Sequence, residues 1–355
     1  IDCDFLRQEA ASLAHARGFA DGRRVAKKAD EMNRLYAVES TLSLTGSMAD
    51  HRLRLASSHM LAFAAKLASE LAPQVASSLA PFAAGLSVDA KWIAECVADL
   101  QAHQGASLVV AGAHLPAEVH TIVYGINAAL NNLGETVSFV AAENTGVASI
   151  SDLARAIKGG SIRSLVILGG NPAYNAPADL GWSALQKSVS EVVRLGYYAD
   201  ETTAVNPAAT THIASAHYLE SWGDARTFDG TVVPIQPMIE PLFGGLTDIE
   251  VLARIAGEKT AEPYALVSAT VAALVPSANA DKTLRRFLHD GVLEGTAYRP
   301  VSVRFDLQRA GAIFSSSPKA LPQLSAKNLE VRFIADHKMD DGRFANNGWL
   351  QECPD

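Results

Sequence analysis

Three short polar groups are placed where this chain could hold a charged ligand: Gly169-Gly170-Asn171-Pro172, Asp200-Glu201-Thr202 and Glu39. The paired glycines present backbone N–H groups with no side chain in the way, and Asn171 adds an amide, so the tetrapeptide could cradle a phosphate or nucleotide. The competing explanation is a plain structural turn, because Gly and Pro end strands in every fold. Asp200-Glu201-Thr202 closes the next apolar run, which would bring both groups to one crevice; a helix cap or a loop salt bridge is the alternative. Glu39 follows Leu35-Tyr36-Ala37-Val38, a place where dinucleotide folds use a carboxylate to bind ribose. A solvated loop carboxylate would read the same way.

Other residue sets point to chemistry less well. His212, His217, Glu220, Asp224 and Asp229 are potential metal ligands, but their spacing fits no zinc motif. Asp336, His337, Asp340 and Asp341 lack the spacing of a calcium loop. GxSxG, GxxxxGK[ST] and HExxH are all absent, which removes the usual signatures of serine hydrolases, P-loop NTPases and zincins. Cys3, Cys96 and Cys353 are too few for a four-cysteine cluster, and their odd number argues against a disulfide framework.

These groups must be positioned by strands and helices. Leu165-Val166-Ile167-Leu168 has the apolar continuity of a strand buried on both faces, as in parallel sheets. Further strands are expected at 35–38, 108–111, 136–139, 192–198 and 331–334. Helices are expected over 5–29 with breaks at Gly18 and Gly22, from Ser57 or Ser58 onward, around Trp92–Leu100, and over 115–132, 150–158 and 178–187. Another runs from a Thr247 cap to Gly257, and two more cover 264–275 and 281–289. Residues 73–87 resemble a linker, and 200–245 an irregular polar loop. Alternating strands and helices predict an α/β fold with parallel sheets. The divisions expected are 1–84 as a partial first α/β unit, 85–258 as a second, and 259–355 as a helical, irregular return segment.

A chain of 355 residues has room for two such units, and 48% apolar with 19% charged residues is an ordinary globular composition. The net charge of −8 argues against a nucleic-acid surface. No apolar run reaches the ~18 residues needed to span a bilayer. A start at Ile1 without Met or signal peptide, and an end close after Trp349-Leu350, lead us to expect a segment of a longer protein.

Gly169-Gly170-Asn171-Pro172, Glu201-Thr202 and the loop from His217 to Thr231, in that order, resemble the molybdopterin oxidoreductase family. The wording is most similar to the large iron–sulfur subunits of alternative complex III, a membrane quinol:cytochrome c oxidoreductase. Asn33-Arg34-Leu35-Tyr36, Ala49-Asp50-His51-Arg52-Leu53 and the run from Phe344 to Glu352 are similar to those subunits as well. The resemblance implies two Rossmann-like parallel-sheet units of the formate dehydrogenase/DMSO reductase-like fold. It implies a molybdopterin guanine dinucleotide as the family's cofactor, with Gly169, Gly170, Asn171, Pro172, Glu201, Thr202 and Glu39 as candidate contacts. Iron–sulfur cysteines and the metal ligand would precede Ile1, and a β-barrel-like domain would follow Asp355. The partners implied are other subunits of a membrane respiratory complex, on the periplasmic side and peripheral, without nucleic acid and without membrane insertion of this segment.

Two departures shape the functional expectation. Catalytic members have a Pro-Gly-Thr-Asp turn whose Asp holds guanine, whereas this chain has Ala56-Ser57-Ser58-His59. A His cannot accept the paired donors of a guanine edge as a carboxylate does. The Leu-Pro that precedes the Glu loop in the family is Ile213-Ala214 here. The expectation is therefore a scaffold that has lost its pterin. The alternatives are a catalytic molybdopterin-dinucleotide-dependent oxidoreductase and, with less support, an unrelated nucleotide-binding α/β protein.

Overall fold

The run Leu35–Val38 opens the first parallel pair: β1 (Tyr36–Glu39) lies beside β2 (His51–Arg54), with Val38 opposite Leu53. The computed structural model describes residues 1–141, 146–314, 320–334 and 338–353. Among these the chain is a mixed α/β protein with several parallel sheets, built as two compact units. One comprises Ile1–Phe139 with Pro300–Phe333, the other Val140–Arg299 with Ile334–Asp355.

In the first unit, β2 leads through a 3-10 turn at Ser57–His59 into α1 (Met60–Leu71). Met60, Phe63, Ala64 and Leu67 recur at helical spacing and are fully or nearly buried. They pack against α2 (Ala76–Ala83), α3 (Ala90–Ala102) and α4 (Ala117–Ala129) through Phe82, Ile93, Cys96, Val119 and Ile126. Residues 85–139, grouped by sequence with the second unit, thus belong to the first because their apolar faces have their partners there. The expected linker at 73–87 is largely α2, anchored by Leu79 and Phe82. Cys96 is a small core residue on α3.

In the second unit, β3 (Ser164–Leu168), β4 (Glu191–Gly196) and β5 (Thr210–Ala214) form a parallel sheet in that order. α5 (Ile150–Lys158) and α6 (Trp182–Lys187) cover one face, through Ile157 and Trp182 against Leu165, Ile167 and Val192. The other face is not closed over β3: Val166 is 41% exposed, so this edge strand is buried on one side, not on both. The expected polar loop at 200–245 is instead organised. It contains a short helix, α7 (Glu201–Ala204), then β5 and an antiparallel hairpin of β6 (Gly223–Arg226) and β7 (Val232–Ile235). A third core joins β7 to α9 (Pro263–Leu274) and α10 (Ala280–Asp290) through Val232, Val267, Val271 and Phe287. Between them, α8 (Asp248–Ala256) starts at a Thr247–Glu250 capping box and ends at Gly257, as its sequence requires.

Local signals overreached elsewhere. The N-terminal helix is confined to Ser12–Asp21. Leu108–Gly112 is extended without joining a strand ladder; its backbone meets Ile1 instead, with Gly112 N–H donating to the Ile1 carbonyl. Thr136–Phe139 contributes only Phe139–Val140, and Val331–Ile334 forms no strand.

Candidate functional site

The carboxyl end of β3 turns at Gly169, whose φ of 73° is a conformation that glycine takes without strain. Its N–H donates to the Leu195 carbonyl on β4, so the turn stays tied to the sheet. Above Gly169 and Gly170 the space is open: a Cβ at either position would meet nothing within 4 Å. Asn171 and Pro172 then start a single helical turn, Pro172–Asn175.

Next along the sheet, β4 ends and Asp200 caps α7 by accepting the Thr203 N–H. This places Glu201 and Thr202 beside Asn171. The Asn171 amide donates to Glu201 Oε2 at 2.7 Å, and the Thr202 hydroxyl donates to Asn171 Oδ1 at 2.7 Å. Thr202 is fully buried, and its hydroxyl also accepts the Ala173 N–H at 3.1 Å. From the core side, Gln186 donates to the Thr202 carbonyl at 2.7 Å and accepts from Trp182 Nε1 at 3.0 Å. The Gly-Asn-Pro turn and the Glu-Thr pair are thus one hydrogen-bonded assembly at a single crevice.

Beneath α7 lies a charge that sequence reasoning passed over. Arg194 sits in the apolar run Val192-Val193-Arg194-Leu195, is 3% exposed, and donates to Asp200 Oδ2 at 2.6 Å and to the Leu195 carbonyl. Its Nε has no hydrogen-bond partner. A lone charge within an apolar strand was the available signal, since such a residue needs a partner when buried.

Glu39 faces inward. Its carboxylate accepts from Arg52 Nε at 2.5 Å and from the Ser43 hydroxyl at 2.5 Å, and the residue is 4% exposed. Beside it, buried Asp2 accepts from Ser40 N–H, and Arg332 reaches it at 3.0 and 3.2 Å. At Ser57-Ser58-His59, the N–H groups of Ser57 and Ser58 both donate to the Glu330 carboxylate, at 2.8 and 3.0 Å. Burial works against ionising Glu330, but the bonds from Ser58 and Ser57 outweigh it and hold the carboxyl below its ordinary value.

No protein-family model and no curated protein matches this chain. The site must therefore be judged on its own residues. At the second crevice, where β3 and β4 end, a Cβ on Gly169 or Gly170 would meet nothing within 4 Å, while both ends of the Asn171 amide are already engaged. The first crevice lies where β1 and β2 end ahead of α1; there the Ser57 and Ser58 N–H groups are taken by Glu330, and His59 Nε2 lies 3.2 Å from the Pro322 carbonyl.

The remaining candidates have structural partners. His212 Nδ1 lies 3.3 Å from the Thr203 hydroxyl, and His217 packs against the Tyr197 and Tyr218 rings. Glu220 accepts N–H groups from His217 and Leu242, which lower its pKa, and Asp229 is lowered by the Thr227 hydroxyl in a tight turn. Burial raises the Asp224 carboxyl. Among the described residues no three His, Cys, Asp or Glu side chains converge as metal ligands. Asp340 and Asp341 pair with Arg343, while Asp336 and His337 lie outside the described residues. No helix among the described residues is long and apolar enough to cross a membrane.

Proposed function

We propose that this chain is a molybdopterin-oxidoreductase-like domain in an electron-transfer subunit of a membrane quinol-oxidising complex. It serves as a scaffold that keeps the cradle of a pterin dinucleotide without holding the cofactor. The observation that carries this reading is the junction of Asn171 with Glu201 and Thr202. The groups that would face a dinucleotide are bonded to one another, and they tie β3 to β4 in place of a ligand. The closed first crevice supports it, since a bis-dinucleotide needs both halves. In this reading the iron–sulfur clusters lie outside the segment. Its partners are other subunits of the complex, on the periplasmic side and peripheral to the membrane.

The open space over Gly169 and Gly170 favours a second reading, a catalytic oxidoreductase that binds at least one dinucleotide. Metal analysis and pterin fluorescence on the full-length protein purified from native membranes separate the two. Neither molybdenum nor tungsten is expected above background, and the protein is expected to travel with a quinol-oxidising complex. Stoichiometric molybdenum or tungsten overturns the scaffold reading in favour of the enzyme. Recovery as a lone soluble protein overturns the assignment to a complex.

A further inference from the structure

The first crevice is closed by a segment far away in the chain. Along 329–333 Leu329, Val331 and Phe333 are 76, 73 and 94% exposed; Glu330 is exposed too, but its carboxylate reaches Ser57 and Ser58, and half-buried Arg332 reaches Asp2. Two apolar-rich positions that face solvent on either side of each polar anchor mean that apolar burial does not hold this stretch down. Polar bonds do. Glu330 gives one carboxylate oxygen to each of the Ser57 and Ser58 N–H groups, which are among the orphan donors at the start of a helix. The positive end of the helix dipole adds to the attraction.

Arg332 forms the second anchor. Its Nη1 donates to both Asp2 oxygens and, at 2.7 Å, to the Ser40 hydroxyl at the end of β1. Its Nη2 lies 2.8 Å from His114 Nε2. The same Nε2 lies 3.3 Å from Asp2 Oδ2, so His114, Arg332 and Asp2 meet at one point. A third contact is made by the Pro322 carbonyl at His59. Between these anchors Ser325 and Asn328 exchange both backbone hydrogen bonds, and Asn328 Nδ2 donates to the Gln323 carbonyl, so the intervening loop is self-supporting.

We propose that residues 320–333 form an intramolecular strap across the start of α1 and the end of β1, with Glu330 bonded to the Ser57 and Ser58 N–H groups and Arg332 as the latch on Asp2. A segment held by a few polar bonds, with its apolar side chains in solvent, opens at lower cost than the helices beneath it. This inference goes beyond the scaffold reading and does not depend on it, because it concerns only contacts within the first unit.

Amide hydrogen exchange on the full chain tests the strap, comparing wild type with Arg332→Ala and Glu330→Gln. Arg332 is linked to Ser57 only through Asp2 Oδ2, which both bond; a strap that moves as one body predicts faster exchange over 56–60 and over 320–333 in Arg332→Ala, by roughly ten- to hundredfold, the worth of one or two charge-assisted bonds. Exchange in α1 over 63–68 should stay at the wild-type rate, which shows that the fold is intact. Unchanged exchange over 56–60 in Arg332→Ala overturns the latch. If Arg332→Ala also loosens α1, the isosteric Glu330→Gln decides: faster exchange over both 56–60 and 320–333 supports the strap, and wild-type rates in either segment overturn it.

Discussion

Thr202 and Asn171 are joined by a 2.7 Å hydrogen bond across 31 positions of chain, the hydroxyl donating to Oδ1. Because Thr202 is fully buried, the bond forms away from competing water and fixes the Gly-Asn-Pro turn to α7.

Thr202→Val keeps the shape of the side chain but removes this bond and leaves the Ala173 N–H without its acceptor. A loss of about 1–3 kcal/mol is expected in urea unfolding. In a double-mutant cycle with Asn171→Ala the two changes should couple by at least about 0.5 kcal/mol. Simple additivity would show that the two residues do not act as one lock.

Asp200 partners a buried guanidinium, with side-chain exposures of 3% for Arg194 and 14% for Asp200. Asp200→Ala strands that charge and should destabilise the protein by about 3–5 kcal/mol. Adding Arg194→Met removes the stranded charge and should recover part of the loss. An Asp200→Ala protein with a wild-type urea midpoint would contradict this account.

Arg23 grips Asp50 with two nitrogens, at 2.5 and 2.9 Å, while Leu35 N–H donates to the same carboxylate at 2.8 Å. The Arg23 hydrogen bond pulls the Asp50 carboxyl down to about 2, against the opposing effect of burial. A carboxyl whose folded pKa lies below its unfolded value of about 3.9 favours the folded state above that pH. The contribution should be constant at neutral pH and fall away between about 3.9 and about 2. Arg23→Gln should flatten that part of the stability profile, measured as urea midpoints from pH 5 to 2.

Burial raises the Cys96 thiol to about 12 and the Cys3 thiol to about 11, whereas Cys353 is exposed. The thiolate is the reactive form, so a thiol reagent at pH 8 should label Cys353 rapidly in the native protein and reach Cys3 and Cys96 on unfolding. Rapid native labelling of Cys96, read by peptide mass, would contradict its place in the core.

The parts of the fold that were legible in sequence rest on interactions a few residues long. The Thr247 cap and the Gly257 stop bracket α8 because helix termini are satisfied by near neighbours. The apolar spacing of Met60, Phe63 and Leu67 marks a helix face whatever covers it. Glycine at 169 was readable as a turn for the same reason, and the hydrogen-bond reach of Glu201 and Thr202 to Asn171 followed the expectation that successive parallel strands deliver their carboxyl ends to one crevice.

Periodicity names an element's faces without saying what covers them, and there the sequence stopped. Val166 is as apolar as its neighbours, yet it lies open because, among the described residues of its unit, no helix covers that side of an edge strand. Arg194 drew no reading from sequence, because its partner Asp200 lies beyond the end of the strand.

What the amino-acid sequence determined by itself is an α/β chain with parallel strands, a glycine turn at residue 169 and helices with readable ends, because each of these depends on backbone preferences and nearby polarity. Only the tertiary structure decided what occupies the crevices. Ser57 finds Glu330 at a separation of 273 residues, and Asp2 finds Arg332 at 330. No local propensity encodes such a pairing: its partners are brought together by the packing of the whole unit, and the sequence between them carries no trace of it.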